Sequence, residues 1–217
     1  KFDNFINTFN KNCVAKGTMI GKVTKEILFK GLKFPDWRAI KLLAKLRNRK
    51  DDTIMLAIVE ELAKDGLEVV DQTLYLKPLM PACGVLSHRK PTASEEDDIR
   101  FGFVTAKAMG GMDIGQTVVV KHKAVMAVEA IEGTDACIRR GGALGREKSV
   151  VVKVAKPNQD PRFDVPAVGK QTILSMIESK CNVLALEAGR TLFLAQEDVL
   201  DLANRHDICI CAVDKNF

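Results

Sequence analysis

The stretch Ala127 to Arg140 (AVEAIEGTDACIRR) holds the residues best placed to do chemistry. An apolar run of strand character breaks at Glu132-Gly133-Thr134-Asp135 and resumes as a helix carrying Arg139 and Arg140. Gly133 can take a backbone conformation closed to other residues, Thr134 suits a helix cap, and the first-turn amides are left to meet a phosphate or carboxylate. A second polar cluster, Lys156-Pro157-Asn158-Gln159-Asp160-Pro161-Arg162-Phe163-Asp164-Val165-Pro166, sets cations and acids on a proline-stiffened loop. Together the two segments point to phosphate chemistry.

Asp164 is the leading catalytic candidate. It follows Arg162 just past an expected strand end, where an acid could hold Mg²⁺ or a water. Its competing reading is a cap for the helix expected near Gly169. Glu132 and Asp135 bracket the anion turn, and either could bind a metal that bridges to phosphate, since hard cations prefer carboxylate oxygens. Asp135 equally suits a first helical turn through the helix dipole. Arg139 and Arg140 lie about one and a half turns into that helix and point in adjacent directions, so at most one is expected to face the ligand of Thr134. Asp113-Ile114-Gly115-Gln116 precedes a strand and reads as a turn, with Gln116 available for hydrogen bonding. Glu187-Ala188-Gly189-Arg190 joins two short strand-like runs and reads as a hairpin turn whose Glu187 and Arg190 could line a cleft. A Walker loop, a Gly-x-Gly-x-x-Gly after a strand, a nucleophile elbow and a His-rich metal motif are all missing. Gly141-Gly142-Ala143-Leu144-Gly145 follows a helix and reads as its end, not as a dinucleotide loop.

These residues need elements to position them, and the composition allows a folded core. With 217 residues and 47% hydrophobic content the chain has room for two small domains or one large one. Its net charge of +5 is modest, with one basic cluster at Lys41 to Lys50 that reads either as a solvated helix face or as a patch for anions or a membrane surface. One Trp and one Tyr, not interleaved with basic residues, argue against a nucleic-acid platform. The six cysteines are mostly far apart and read as small core residues in a reduced cytosol. The three histidines lie near no cysteine pair, which argues against a zinc ribbon. No apolar run approaches the roughly 20 residues needed to cross a bilayer, and no secretory signal is seen, so a cytosolic protein that touches a membrane at most peripherally is expected. The chain opens on Lys1, and its polar stretch Asn4 to Asn12 runs into a strand-like Thr18 to Val23, as if entering an α/β unit already under way. A missing N-terminal segment is therefore expected.

Pro35 to Asn48 has helical apolar spacing, and a second helix opens at Asp51-Asp52 and stops at Gly66, before a strand at Leu67 to Val70. Lys77 to Pro91 holds three prolines and little periodicity, which places a linker at 79–92 between an N-terminal domain at 1–78 and a C-terminal one at 93–217. Beyond it, helices are expected at Glu95 to Gly110, Thr134 to Leu144, Gly169 to Lys180 and Gln196 to Arg205. Strands are expected at Thr117 to Val120, Ala124 to Ala130, Ser149 to Ala155, Asn182 to Leu186 and Asp207 to Val213. This alternation predicts an α/β domain with a largely parallel sheet and ligand sites at the carboxyl ends of strands.

One ordered series of motifs is specific. Asp113-Ile-Gly-Gln116, Glu129-Ala-Ile-Glu-Gly-Thr-Asp135, Arg139-Arg140, Val154-Ala-Lys-Pro157, Arg162-Phe-Asp-Val-Pro166 and Glu187-Ala-Gly-Arg190 closely resemble the UDP-2,3-diacylglucosamine pyrophosphatases of lipid A biosynthesis, the type unrelated to calcineurin-like phosphoesterases. The likeness covers about Ala93 to Asp214, with a weaker match upstream at Gly21-Lys-Val23 and Lys50-Asp-Asp52. It implies a Mg²⁺-dependent hydrolase with a cleft between two α/β domains, splitting UDP-2,3-diacylglucosamine into 2,3-diacylglucosamine 1-phosphate and UMP. It also implies that Asp164 is the family's essential aspartate in Arg-x-Asp-x-Pro. The family's glycine-rich strand-to-helix turn near the N-terminus has no match here, so an incomplete N-terminal domain is expected. In this reading Thr134 with its free amides, an arginine, Lys156 and a carboxylate-bound Mg²⁺ offset the charge of the pyrophosphate, with Gly133, Asp135, Gln116 and Arg190 around the substrate and Asp164 and Glu132 at the metal. Two rivals stay open: a nucleotide or sugar-nucleotide binding module without catalysis, and a glycosyl or nucleotidyl transferase. A peripheral contact with the inner membrane and a homodimer are the partner expectations.

Overall fold

The computed structural model describes residues 2–21, 37–44, 46 and 51–217. The chain divides into one unit of Lys1–Tyr75 with Asp160–Asp164 and a second of Leu76–Gln159 with Val165–Phe217.

In the first unit, α1 (Phe2–Lys11) occupies the stretch expected to be a polar opening. Its apolar residues Ile6 and Phe9 fall one turn apart and pack inward, so a stretch that is polar on average still forms an amphipathic helix. Next come β1 (Lys16–Gly17), α2 (Trp37–Ala44), α3 (Asp51–Ala63) and β2 (Glu68–Val69), with β1 parallel to β2. The strand expected at Thr18 to Val23 is therefore a two-residue strand just before it, and Lys22 and Val23 lie outside the described residues. Residues 45 and 47–50 of the basic cluster Lys41 to Lys50, with the Lys50 end of the upstream match, fall outside them too. Ile6, Val59, Leu62, Leu67 and Val69 form the unit's core, joined by Phe163 from the returning segment. Gly66, at φ +80, ends the turn after α3 as expected of a helix-stopping glycine.

The second unit is built on a six-stranded sheet. Its strands are β3 (Gly84–Val85), β4 (Thr117–Lys121), β5 (Ala124–Val128), β6 (Ser149–Lys153), β8 (Cys181–Glu187) and β10 (Cys209–Val213), in the order β3-β10-β8-β6-β4-β5. Only the β10–β8 and β8–β6 pairs are parallel, so the sheet is mixed, not largely parallel. The cause is local: β4 and β5 form a hairpin whose turn residues His122 and Lys123 both have positive φ. The buried Asp98 carboxylate accepts both of their backbone N–H groups, at 2.9 and 2.6 Å, which steadies a turn without glycine. The stretch read as a linker supplies β3, antiparallel to β10.

Four helices cover the sheet. On one face α4 (Ala93–Gly111), opened by a Thr92–Glu95 capping box, packs Ile99, Phe103 and Ala106 on Val150 and Val152. On the other, α5 (Thr134–Gly145), α6 (Lys170–Glu178) and α7 (Gln196–Arg205) pack on Val119, Val151, Leu184 and Ile210. The buried strands read as continuous apolar runs because both faces are covered. The glycine run after Arg140 lies inside α5, where a Cβ on Gly141 would stand 2.5 Å from Val119 Cβ, so helix and sheet touch there through bare backbone. A separate pair, β7 (Ala167–Val168) and β9 (Leu192–Phe193), is parallel. Hence Glu187 to Arg190 does not close a hairpin: the chain leaves β8 for another sheet.

Candidate functional site

Strand register brings the sequence motifs to one edge of the second unit's sheet. Thr117 at the start of β4 pairs with Lys153 at the end of β6; Val118 pairs with Val128, one residue before Glu129; and Glu187 at the end of β8 pairs with Val213. The segments Gln116–Thr117, Glu129–Thr134, Lys153–Lys156 and Glu187–Arg190 therefore share the edge where the parallel strands end. α5 begins at the same edge.

Its start differs from the expectation in one respect. Gly133, at φ +84, is the N-cap, and Thr134 is the first helical residue, so Thr134 does not cap the helix. This frees its hydroxyl. Thr134 Oγ1 donates to Glu129 Oε1 at 2.9 Å and accepts from Lys153 Nζ at 3.0 Å, while Lys153 Nζ also donates to the Ala167 carbonyl at 2.9 Å. Glu129 and Lys153 keep only 9% and 6% of their surface exposed, so an acid and a base are held inside the protein by one hydroxyl. Glu129 Oε2 and Thr117 Oγ1 are buried with no hydrogen-bond partner among the described residues. The edge thus combines unpaired helix N–H groups, a buried ammonium and a buried carboxylate, a set suited to an anion that also carries a donor group or a cation.

Around it the other predicted residues take definite places. Lys156 Nζ lies 2.9 Å from Asp113 Oδ1, and Gln159 accepts from the Lys156 N–H while donating to Gln116 Oε1 at 3.3 Å. Gly115 lets the Asp113–Gln116 turn reach the β5 end, since a Cβ there would lie 2.1 Å from the Glu129 carbonyl oxygen. Arg190 stands at the β8 end, 4.0 Å from Glu187. Glu187 itself is buried against Lys107, 2.9 Å away, and takes the Ala155 N–H at 2.7 Å; it ties strand ends together and does not line a cleft as a free acid. Asp135 sits in the first turn of α5, favoured by the helix dipole.

The two arginines separate, as adjacent helix positions must. Arg139 pairs with Glu178 on α6 and faces away from the anion turn. Arg140 returns to it, donating to the Val128 carbonyl and to Glu132 Oε1. Glu132 Oε2 accepts the Ala130 N–H. The Glu132 carboxyl is held below its ordinary range by its own backbone N–H and then by Arg140. With both oxygens engaged, Glu132 braces the turn and does not fit the metal role expected of it. No group of three His, Cys, Asp or Glu among the described residues gathers as a metal site.

Asp164 belongs to the segment that groups with the first unit, where its N–H donates to the Asp160 carbonyl and Arg162 forks onto Asp160. The capping alternative fails, because the N-cap of α6 is Gly169.

The comparisons with known proteins decide the family. Residues 82–211 match the LpxI C-terminal domain and residues 1–79 the LpxI N-terminal domain. The chain belongs to the LpxI family. A similar protein is the UDP-2,3-diacylglucosamine pyrophosphatase LpxI of Caulobacter vibrioides, 31% identical over 191 residues, an alignment covering 83% of this chain and 68% of that protein. The family resemblance carried by the ordered motifs is therefore correct. The motif series nevertheless left out Lys153, and Glu129, though part of it, was given no role. The signal that could have found both is shared with Glu187: each charged residue stands at the end of a mainly apolar strand, at the sheet edge where α/β folds tend to place ligands.

Proposed function

We propose that this chain hydrolyses the pyrophosphate bond of UDP-2,3-diacylglucosamine, giving 2,3-diacylglucosamine 1-phosphate and UMP. The observation that carries the reading is the gathering of Gln116, Glu129–Thr134, Lys153–Lys156 and Glu187–Arg190, with the buried Glu129–Thr134–Lys153 chain, on one edge of the sheet beside the start of α5. The α5 N–H groups and Lys153 receive a phosphate and offset its charge, and Gln116, Lys156 and Arg190 border the same edge. Preorganisation matters here: Lys153 is aimed by Thr134 and Ala167 before any ligand arrives.

Mg²⁺ belongs to the proposal. Mg²⁺ prefers carboxylate and phosphate oxygens, so one carboxylate beside the phosphates of the substrate would serve to hold it. Asp164 is the carboxylate proposed to hold it or to orient the attacking water; Glu132 is not. When bound, Mg²⁺ would neutralise charge on the phosphoryl groups. No described helix is long and apolar enough to cross a membrane, which suits a protein that meets its lipid substrate at a surface.

The test is incubation of the purified chain with UDP-2,3-diacylglucosamine, with and without Mg²⁺. Metal-dependent release of UMP and the lipid 1-phosphate is expected, and Asp164→Ala should abolish it with the circular dichroism spectrum unchanged. Binding of UDP without hydrolysis would favour a non-catalytic module. Full activity of the variant would remove Asp164 from the mechanism.

A further inference from the structure

Two loops at the candidate site's edge hold large aliphatic side chains in water. Met112 is 65% exposed and Ile114 44% in the loop after α4, and Ile131 is 87% exposed in the loop before α5. Single exposed apolar residues are ordinary, but three of them on two loops beside the candidate site ask for a partner. The loops are neighbours, because Gly115 sits directly against the Glu129 backbone.

Nor is this exposure the slack of unanchored loops. The first is pinned at its start by Gly110, where a Cβ would lie 3.2 Å from Lys156 Cα, and at its end by Gly115. Between them Asp113 takes φ +60 and reaches Lys156, with Met112 and Ile114 on either side of it in the chain. The second loop is pinned through Glu132 to Ala130 and Arg140. The acids of both loops are accounted for: Asp113 pairs with Lys156, Glu132 with Arg140, and Glu129 is buried. Apolar tips on fixed loops, with their carboxylates neutralised by cations, suit contact with a lipid surface of zero or negative charge.

We propose that Met112, Ile114 and Ile131 form a lipid-facing rim that seats this edge of the protein against a bilayer, where a diacylated substrate would reside. The choice of lipid over another apolar partner rests on the proposed diacyl substrate. These loops border the proposed phosphate-binding edge, so a headgroup could reach α5 while its acyl chains stay in the membrane.

The experiment is co-sedimentation of the full chain with vesicles of phosphatidylethanolamine and phosphatidylglycerol, without substrate. The chain should pellet in proportion to lipid. The combined Met112→Ser, Ile114→Ser and Ile131→Ser variant should need about tenfold more lipid for half-binding, because the area it would insert is mostly lost. UDP affinity and thermal midpoint, which do not depend on these tips, should match the parent. Parent-like pelleting of the variant, or a parent that does not pellet, overturns the proposal. So does a parent that elutes as a dimer and a variant that elutes as a monomer, since the rim would then bind a second copy. Vesicle binding is read without turnover, so a chain that pellets but releases no UMP refutes the hydrolase reading alone.

Discussion

Thr134→Val tests whether one hydroxyl holds the buried charges of the site. Valine matches threonine in shape but can neither donate to Glu129 nor accept from Lys153, and both partners are buried. Each lost bond involves a charged group, and such bonds contribute about 1.5–3 kcal/mol. Thr134 is partly exposed, which favours the lower figure for each, so the loss should be about 3 kcal/mol. Against a total stability of about 5–15 kcal/mol this is large. For a chain of this size it corresponds to a fall in Tm of roughly 6–12 °C. Thr134→Ser keeps the hydroxyl and removes one methyl, at about 1 kcal/mol. The assay is thermal unfolding followed by far-ultraviolet circular dichroism, because the single tryptophan, Trp37, lies in the first unit and does not report on the second. The expected order of stability is parent, then serine, then valine. Inorganic pyrophosphate should also raise the Tm of the serine variant more than that of the valine variant, since a bound anion stabilises the fold in proportion to its affinity. A valine variant as stable as the serine variant would refute the reasoning, by showing that Glu129 and Lys153 do not depend on this hydroxyl.

Gly115→Ala should lower stability sharply, because the new Cβ would lie 2.1 Å from a backbone oxygen, whereas Gly111→Ala, with nothing nearer than Pro157 Cγ at 3.9 Å, should be neutral or gain up to about 1 kcal/mol of helix propensity; comparative denaturation checks both. Burial alone would raise the Glu95 carboxyl, but Arg89 and the Thr92 N–H hold it below its ordinary value. A depressed folded value means that Glu95 contributes stability fully above its unfolded pKa of about 4.3 and loses that contribution as pH falls through the folded value, so Glu95→Gln should flatten the acid limb of a stability–pH curve. Of the six cysteines, Cys13 and Cys83 are exposed and should react with a thiol reagent in the native protein, while the buried Cys137, Cys181, Cys209 and Cys211 should react with it only after unfolding; burial pushes the Cys137 thiol up to about 12. Burial and then Asp214 raise the Cys83 thiol, so Cys83 should be slower than an unhindered thiol.

Most helices and strands of the second unit can be read from the sequence, because a strand covered on both faces must be a short apolar run and the helices between them carry their own stops and caps. The ordered motifs likewise identify the LpxI family without coordinates. Strand direction is another matter. That β4 runs against β5 depends on the His122-Lys123 turn, and that turn is steadied by Asp98, 24 residues upstream. In α1, average polarity concealed a helix whose few apolar residues fall on one face.

The same division runs through the site. Gly133, Thr134 and Lys156 stand out by residue type and spacing, but their neighbours do not. Sequence alone determined which segments could bind phosphate, since that rests on local features such as a glycine turn, a helix start and nearby cations. Only the tertiary structure decided that Lys153 and Glu129 share the hydroxyl of Thr134, that Glu132 belongs to Arg140, and that Arg139 faces another helix. Those outcomes depend on which strand ends are brought side by side, and strand order is set by the packing of the whole sheet rather than by any segment within it.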